Sequence, residues 1–116
     1  MTGTTPPGHE PLTPAVLHVL LSLSQGPRHG YAVMRAVEED SGIEMGPGTV
    51  YGSLQRLEEA GLVEEVEAPA GGEHDGRRRY WALTPEGSAT LRAEGVRLER
   101  LSGLLRERRI LTGGET

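Results

Sequence analysis

A chain of 116 residues has room for one domain, and with no Phe and a single Trp its core must come mainly from Leu, Val and Ala. The absence of cysteine excludes disulfides, thiolate metal sites and a cysteine nucleophile, and suits a reducing compartment. The net charge of −5 weighs mildly against a nucleic-acid partner.

The opening MTGTTPPGHEP is rich in Thr, Pro and Gly and is expected to be a flexible tail over residues 1–11. It has neither the basic start nor the apolar run of a signal peptide. No apolar run approaches the ~20 residues of a membrane-spanning helix, so the expectation is a cytoplasmic protein without a membrane partner. In LTPAVLHVLLSLSQG, Thr13 is a good N-cap and Pro14 suits the first helical position; the apolar face ends at Gly26-Pro27. HGYAVMRAVEEDSG predicts a second helix, with Tyr31, Val33, Met34 and Val37 inward and Gly42 as its C-terminal stop.

The most informative stretch is GPGTVYGSLQRLEEAGLVEE, residues 46–65. Pro47 fits the first helical position behind Gly46, and the helix should run to about Ala60 before Gly61. A phosphate-cradling loop would need a preceding strand and a Gly-Lys-Ser/Thr ending, and this chain has no Lys at all. At about 100° per residue, Val50, Leu54 and Leu57 instead form one core-facing stripe. Gly48, Gly52, Gln55 and Glu59 lie opposite it, flanked by Thr49 and Arg56 on one side and Tyr51 on the other. The front half of that outer face is small and uncharged. Such a face suits the N-terminal half of a helix entering a DNA major groove, where Gln and Arg are reader types for adenine and guanine. Two glycines kept only by tolerance would each cost ~1 kcal/mol relative to Ala.

LVEEVEA and RRRYWAL then read as two strands around the turn-rich PAGGEHDG, giving a β-hairpin. Thr84-Pro85-Glu86 repeats the cap-then-proline signature and starts a last helix reaching about Arg109. The fold class is therefore mainly α with a small β-hairpin, in the order helix, helix, helix, hairpin, helix.

Three segments, LTPAVLHVLLSLSQGPRHGYAVMRAVEE, GPGTVYGSLQRLEEAGLVEE and RRRYWALTPEGSATL, together resemble the PadR family of bacterial transcriptional regulators. The marks are His29-Gly30-Tyr31, Gly48-Thr49, Tyr51, Leu54, Arg56-Leu57-Glu58, Gly61-Leu62, Tyr80, Leu83-Thr84 and Gly87. The resemblance implies a winged helix-turn-helix over 12–83 and a C-terminal dimerisation helix over 84–110, with 111–116 a second tail. It also implies a homodimer on a pseudo-palindromic, double-stranded DNA operator, usually as a repressor, released by a small-molecule or other signal. Where the family commonly has Ser before the Pro-Gly-Thr and Pro after the tyrosine, this chain has Gly46 and Gly52. The second departure alters the groove-facing surface, so base preference does not carry over.

On this reading Thr49, Tyr51, Gly52, Gln55, Arg56 and Tyr31 are expected at the DNA, with Tyr51 alternatively packing on the second helix and Arg56 alternatively pairing with Glu59 or Glu38. His29 is expected to serve the turn. Arg77, Arg78 and Arg79 form a basic wing, or else a solvated run paired with Glu64, Glu65 and Glu67. All twelve basic residues are Arg, a choice that fits phosphate but that a GC-rich genome explains better. Trp81 either packs in the core or lines a pocket at the dimer seam for a small hydrophobic or aromatic effector. Leu91, Leu98, Leu101 and Leu105, with Leu104 alongside, make a short coiled-coil-like ridge for dimerisation. The histidines at 9, 18, 29 and 74 have no ligand-like spacing, so no metal, cofactor or catalytic constellation is expected. The rivals to a DNA-binding regulator are a winged-helix protein-interaction module and a ligand-binding sensor working through the dimer seam.

Overall fold

The computed structural model describes residues 11–69 and 79–112. Helix α1 spans Pro14–Ser22, and the Thr13 hydroxyl accepts the Val16 amide at 3.2 Å to cap it. It ends earlier than Gly26-Pro27. Turn bonds from Leu23, Ser24 and Gly26 back to Leu20, Leu21 and Leu23 replace the helical pattern, and the Ser22 and Ser24 hydroxyls donate to the carbonyls of Val19 and Leu21, both at 2.7 Å. Serines compete with the helical backbone in this way.

Strand β1, Arg28–His29, follows and leads directly into helix α2, Gly30–Ser41. His29 Nδ1 accepts the Ala32 amide at 3.1 Å, so the imidazole itself caps α2. Helix α3 spans Pro47–Glu59, its Gly46 N-cap making no side-chain bond. Strands β2 (Val63–Val66) and β3 (Tyr80–Leu83) are antiparallel, with Val63 opposite Leu83 and Glu65 opposite Trp81. The sheet order is β1-β3-β2, with Arg28 opposite Trp81 and His29 opposite Tyr80. The hairpin of the sequence reading is thus part of a three-stranded sheet. A two-residue strand between Gly-Pro and a helix cap carries no periodicity from which to read it.

Helix α4, Pro85–Glu107, begins on the turn that follows α3. The Thr84 hydroxyl accepts the Gly87 amide at 3.0 Å and donates to the Gly61 carbonyl at 2.6 Å. A Cβ at Gly87 would overlap the Leu62 carbonyl oxygen, so only glycine permits this approach.

The core is continuous across these elements: Val19, Leu20 and Leu23 from the first helix and its turn, Val33 and Val37 from α2, Val50, Leu54 and Leu57 from α3, and Val63 and Trp81 from the sheet. Burying each of these aliphatic side chains contributes about 1.5–3 kcal/mol. Among the described residues one charged group lies as deep: Glu94 of α4, only 1% exposed. It takes a two-pronged bond from Arg97, at 2.6 and 2.9 Å, and accepts the Leu12 amide at 3.3 Å, which ties the approach to α1 onto α4.

Candidate nucleic-acid interface

Helices α2 and α3 form a helix-turn-helix joined by residues 42–46, and the stripe Val50, Leu54, Leu57 fixes which side of α3 is left outward. Gly48, Thr49, Gln55 and Arg56 are exposed there, and Gly52 is half-buried. The Arg56 guanidinium lies back along the helix beside Gly52, and among the described residues it pairs with neither Glu59 nor Glu38.

Tyr51 packs on α2, the alternative weighed against DNA contact. Its ring lies on the Gly30 α-carbon, where an added Cβ would come 2.5 Å from the ring, yet the side chain stays 41% exposed. The sequence marks Gly30 only within the His-Gly-Tyr motif; the pairwise contact that demands it leaves no periodic signal. Tyr31, in the first turn of α2, stands 53% exposed, contrary to its expected inward lean. Its ring stacks near His29 at 6.4 Å between centroids, and His29 meets Tyr80 edge-on at 5.4 Å. The capping role of His29 and the interlock of α2 with β3 are thus one arrangement.

At the wing, Arg77 and Arg78 lie outside the described residues, as do Glu73, His74 and Asp75. Arg79 is described and is held on both sides. It pairs with Glu65 at 3.0 Å and lies over the Trp81 ring at 4.8 Å. The hydrogen bond from Arg79 lowers the Glu65 carboxyl below its ordinary range, and Arg79 is raised in turn. The cross-strand pairing weighed for the wing is therefore present at Arg79. Trp81 itself is 1% exposed, a core residue of the protomer, with its indole N–H buried and unpartnered among the described residues.

Along α4 the leucines divide. Leu91 packs against the core of its own domain rather than standing on the free ridge. Leu98, Leu101 and Leu105 are exposed, Leu104 is half-buried, and Ile110 and Leu111 continue the apolar surface beyond the helix. Among the described residues no group of His, Cys, Asp and Glu is placed to hold a metal ion, and no helix is long and apolar enough to cross a membrane.

A helix-turn-helix with an open outer face, a three-stranded wing sheet against it and a long helix leading away defines a winged-helix DNA-binding regulator. Residues 16–93 match the Transcriptional regulator PadR-like family, and the chain belongs to that family. Its members are transcription regulators rather than enzymes; they bind DNA and act as dimers. The fold is similar to that of a PadR family regulator from hypervirulent Clostridium difficile, at a TM-score of 0.70 and 23% identity over 82% of this chain and 97% of that one. It also resembles Bordetella bronchiseptica BpsR, whose DNA binding is regulated by 6-hydroxynicotinic acid, at a TM-score of 0.63 and 26% identity over 91% and 69% of the two chains. In sequence it is 44% identical over 89 residues, 77% of its length, to an uncharacterized 37.1 kDa transposon protein of Streptomyces fradiae. The matched region is 24% of that relative, so the chain spans about a quarter of its length.

Proposed function

We propose that this protein is a cytoplasmic, homodimeric repressor that binds a pseudo-palindromic operator and is released by a small hydrophobic or aromatic effector or another signal. The observation that carries the reading is the outer face of α3: small, uncharged and open over its front half, with Thr49, Gln55 and Arg56 exposed and Tyr51 anchored at its edge. Gln55 and Arg56 would read base edges, Thr49, Tyr51 and Tyr31 would position the helix on phosphates, and Gly52 would admit the backbone close to the duplex. Arg77, Arg78 and Arg79 of the wing would add sequence-independent contact.

The exposed leucines of α4 support pairing with a second copy. A ridge of Leu98, Leu101 and Leu105, flanked by Leu104, would place two recognition helices in successive major grooves, about 34 Å apart. Leu91 would steady the base of that helix from within its own domain. BpsR supports regulation by a small molecule, while the burial of Trp81 favours the core over an effector contact.

Fluorescence anisotropy with the DNA upstream of the protein's own gene tests the reading. The expected result is binding whose log K falls linearly with log salt, and about a thousandfold preference over a scrambled duplex. Equal, salt-insensitive retention of both duplexes would favour a protein-interaction module instead.

A further inference from the structure

The inner side of α4 changes role along its length. Its first half packs on its own domain, with Gly87 against the Leu62 carbonyl and Leu91 against the core, and Glu94 is the last buried residue along it. Past Glu94 come Leu98, Leu101 and Leu105, all exposed. The helical repeat puts these leucines on one stripe with Leu91 and Glu94, so Glu94 stands where the stripe passes from the domain to the free ridge. We infer that the carboxylate clamp at Glu94 fixes the angle at which α4 leaves the winged domain, and with it the half-site spacing that a dimer accepts. The inference rests on the proposed operator-binding dimer and assigns its spacing to a positioning residue.

Three observations support a clamp. The first is that the carboxylate joins separate segments. Its Oε2 accepts both the Leu12 amide, one residue before the α1 cap, and Arg97 Nη2, while its Oε1 accepts Arg97 Nε. The two-pronged arginine bond sets the plane of the carboxylate, and the Leu12 bond ties that plane to the start of α1. The second is that this chemistry is a poor choice for stability alone. A buried ion pair gives little net stability over apolar side chains of the same size, whereas its directional bonds admit one arrangement. An apolar residue at this position would continue the leucine stripe without fixing its tilt. The third is the lever. Glu94 to Leu105 spans about 16 Å of helix, so a swing of about 12° at Glu94 moves Leu105 by about 3.4 Å, the rise of one base pair. With the ridge held by a second copy, the winged domain swings instead and carries α3 towards a neighbouring spacing.

The test uses the full-length protein and the inverted repeat it selects from randomised duplexes, rebuilt with the spacer between the halves lengthened or shortened by single base pairs. Glu94→Met combined with Arg97→Met replaces the clamp with apolar chains. This double variant is expected to melt at or above the parent's temperature, yet to bind the rebuilt repeats within about threefold of one another where the parent separates them by about tenfold or more. Glu94→Gln keeps the side-chain volume and an oxygen for the Leu12 amide but loses the ion pair; it should broaden the preference in the same direction, and it carries the test should the double variant not fold. Half-site sequence is expected to stay the parent's in both. A merely structural Glu94 would weaken every spacer equally. That uniform loss, or the parent's preference retained by a folded variant, overturns the clamp and leaves the operator reading standing. A parent indifferent to the spacer also overturns the clamp, and a parent that selects no repeat overturns both.

Discussion

Replacing Gly30 with alanine probes the joint between α2 and the recognition helix. The added methyl would fall 2.5–2.8 Å from the far end of the Tyr51 ring, so the ring must swing outward. If the swing exposes about 50 Å² of ring now covered, the loss is about 1.3 kcal/mol at 25 cal/mol per Å². Alanine returns part of that, up to about 1 kcal/mol in a helix interior and less in the first turn, where Gly30 lies. The net cost to folding should therefore be below about 1 kcal/mol by urea denaturation, while duplex binding falls because Tyr51 has left its seat. Tyr51→Ala should erase the effect. In that background Gly30→Ala is expected to be neutral or stabilising, which gives a coupling of about 1–2 kcal/mol across the cycle. An equal cost of Gly30→Ala in both backgrounds would refute the seat.

Gly87→Ala meets a backbone carbonyl that cannot rotate away, so the cost should reach about 3 kcal/mol or more and appear as a large drop in Tm; a melting curve like the parent's would contradict the close approach. Because Arg79 lowers the Glu65 carboxyl, the contribution of that pair is present at neutral pH and is lost as pH falls through the lowered value, below the ordinary carboxylate range. The effect on stability is small because both groups face solvent. Glu65→Gln should remove this acid-side component and tighten duplex binding by releasing Arg79; weaker binding would show that Glu65 orients the arginine rather than competing for it. Leu101→Glu would place an unpaired charge on the α4 ridge. At a cost of about 3 kcal/mol or more it should weaken any dimer about a hundredfold or more in analytical ultracentrifugation, and an unchanged sedimentation profile would remove Leu101 from the dimer contact.

The helices were legible because their signals are local. Thr13-Pro14, Gly46-Pro47 and Thr84-Pro85 announce three starts, and the Val50, Leu54, Leu57 stripe orients α3 without any tertiary knowledge. What escaped depends on contacts between distant segments. Strand β1 exists only because Arg28 and His29 meet Trp81 and Tyr80 more than fifty positions later. Leu91 fits the heptad-like spacing, yet the fold turns it to its own core. Glu94, on a helix rich in exposed charge, reads as a surface acid until Leu12 and Arg97 enclose it. In the wing, the run of arginines left phosphate contact and pairing with Glu64, Glu65 or Glu67 both open, and the cross-strand register is what gives Arg79 Glu65 and Trp81 as neighbours.

Selection from randomised duplexes, run in parallel on the parent and on Gln55→Ala, tests most directly whether the outer face of α3 reads sequence. The parent is expected to recover an inverted repeat, and Gln55→Ala to lose or change the preference at one base pair in each half while the rest of the repeat persists. An identical repeat recovered by both proteins would place sequence recognition elsewhere on the molecule.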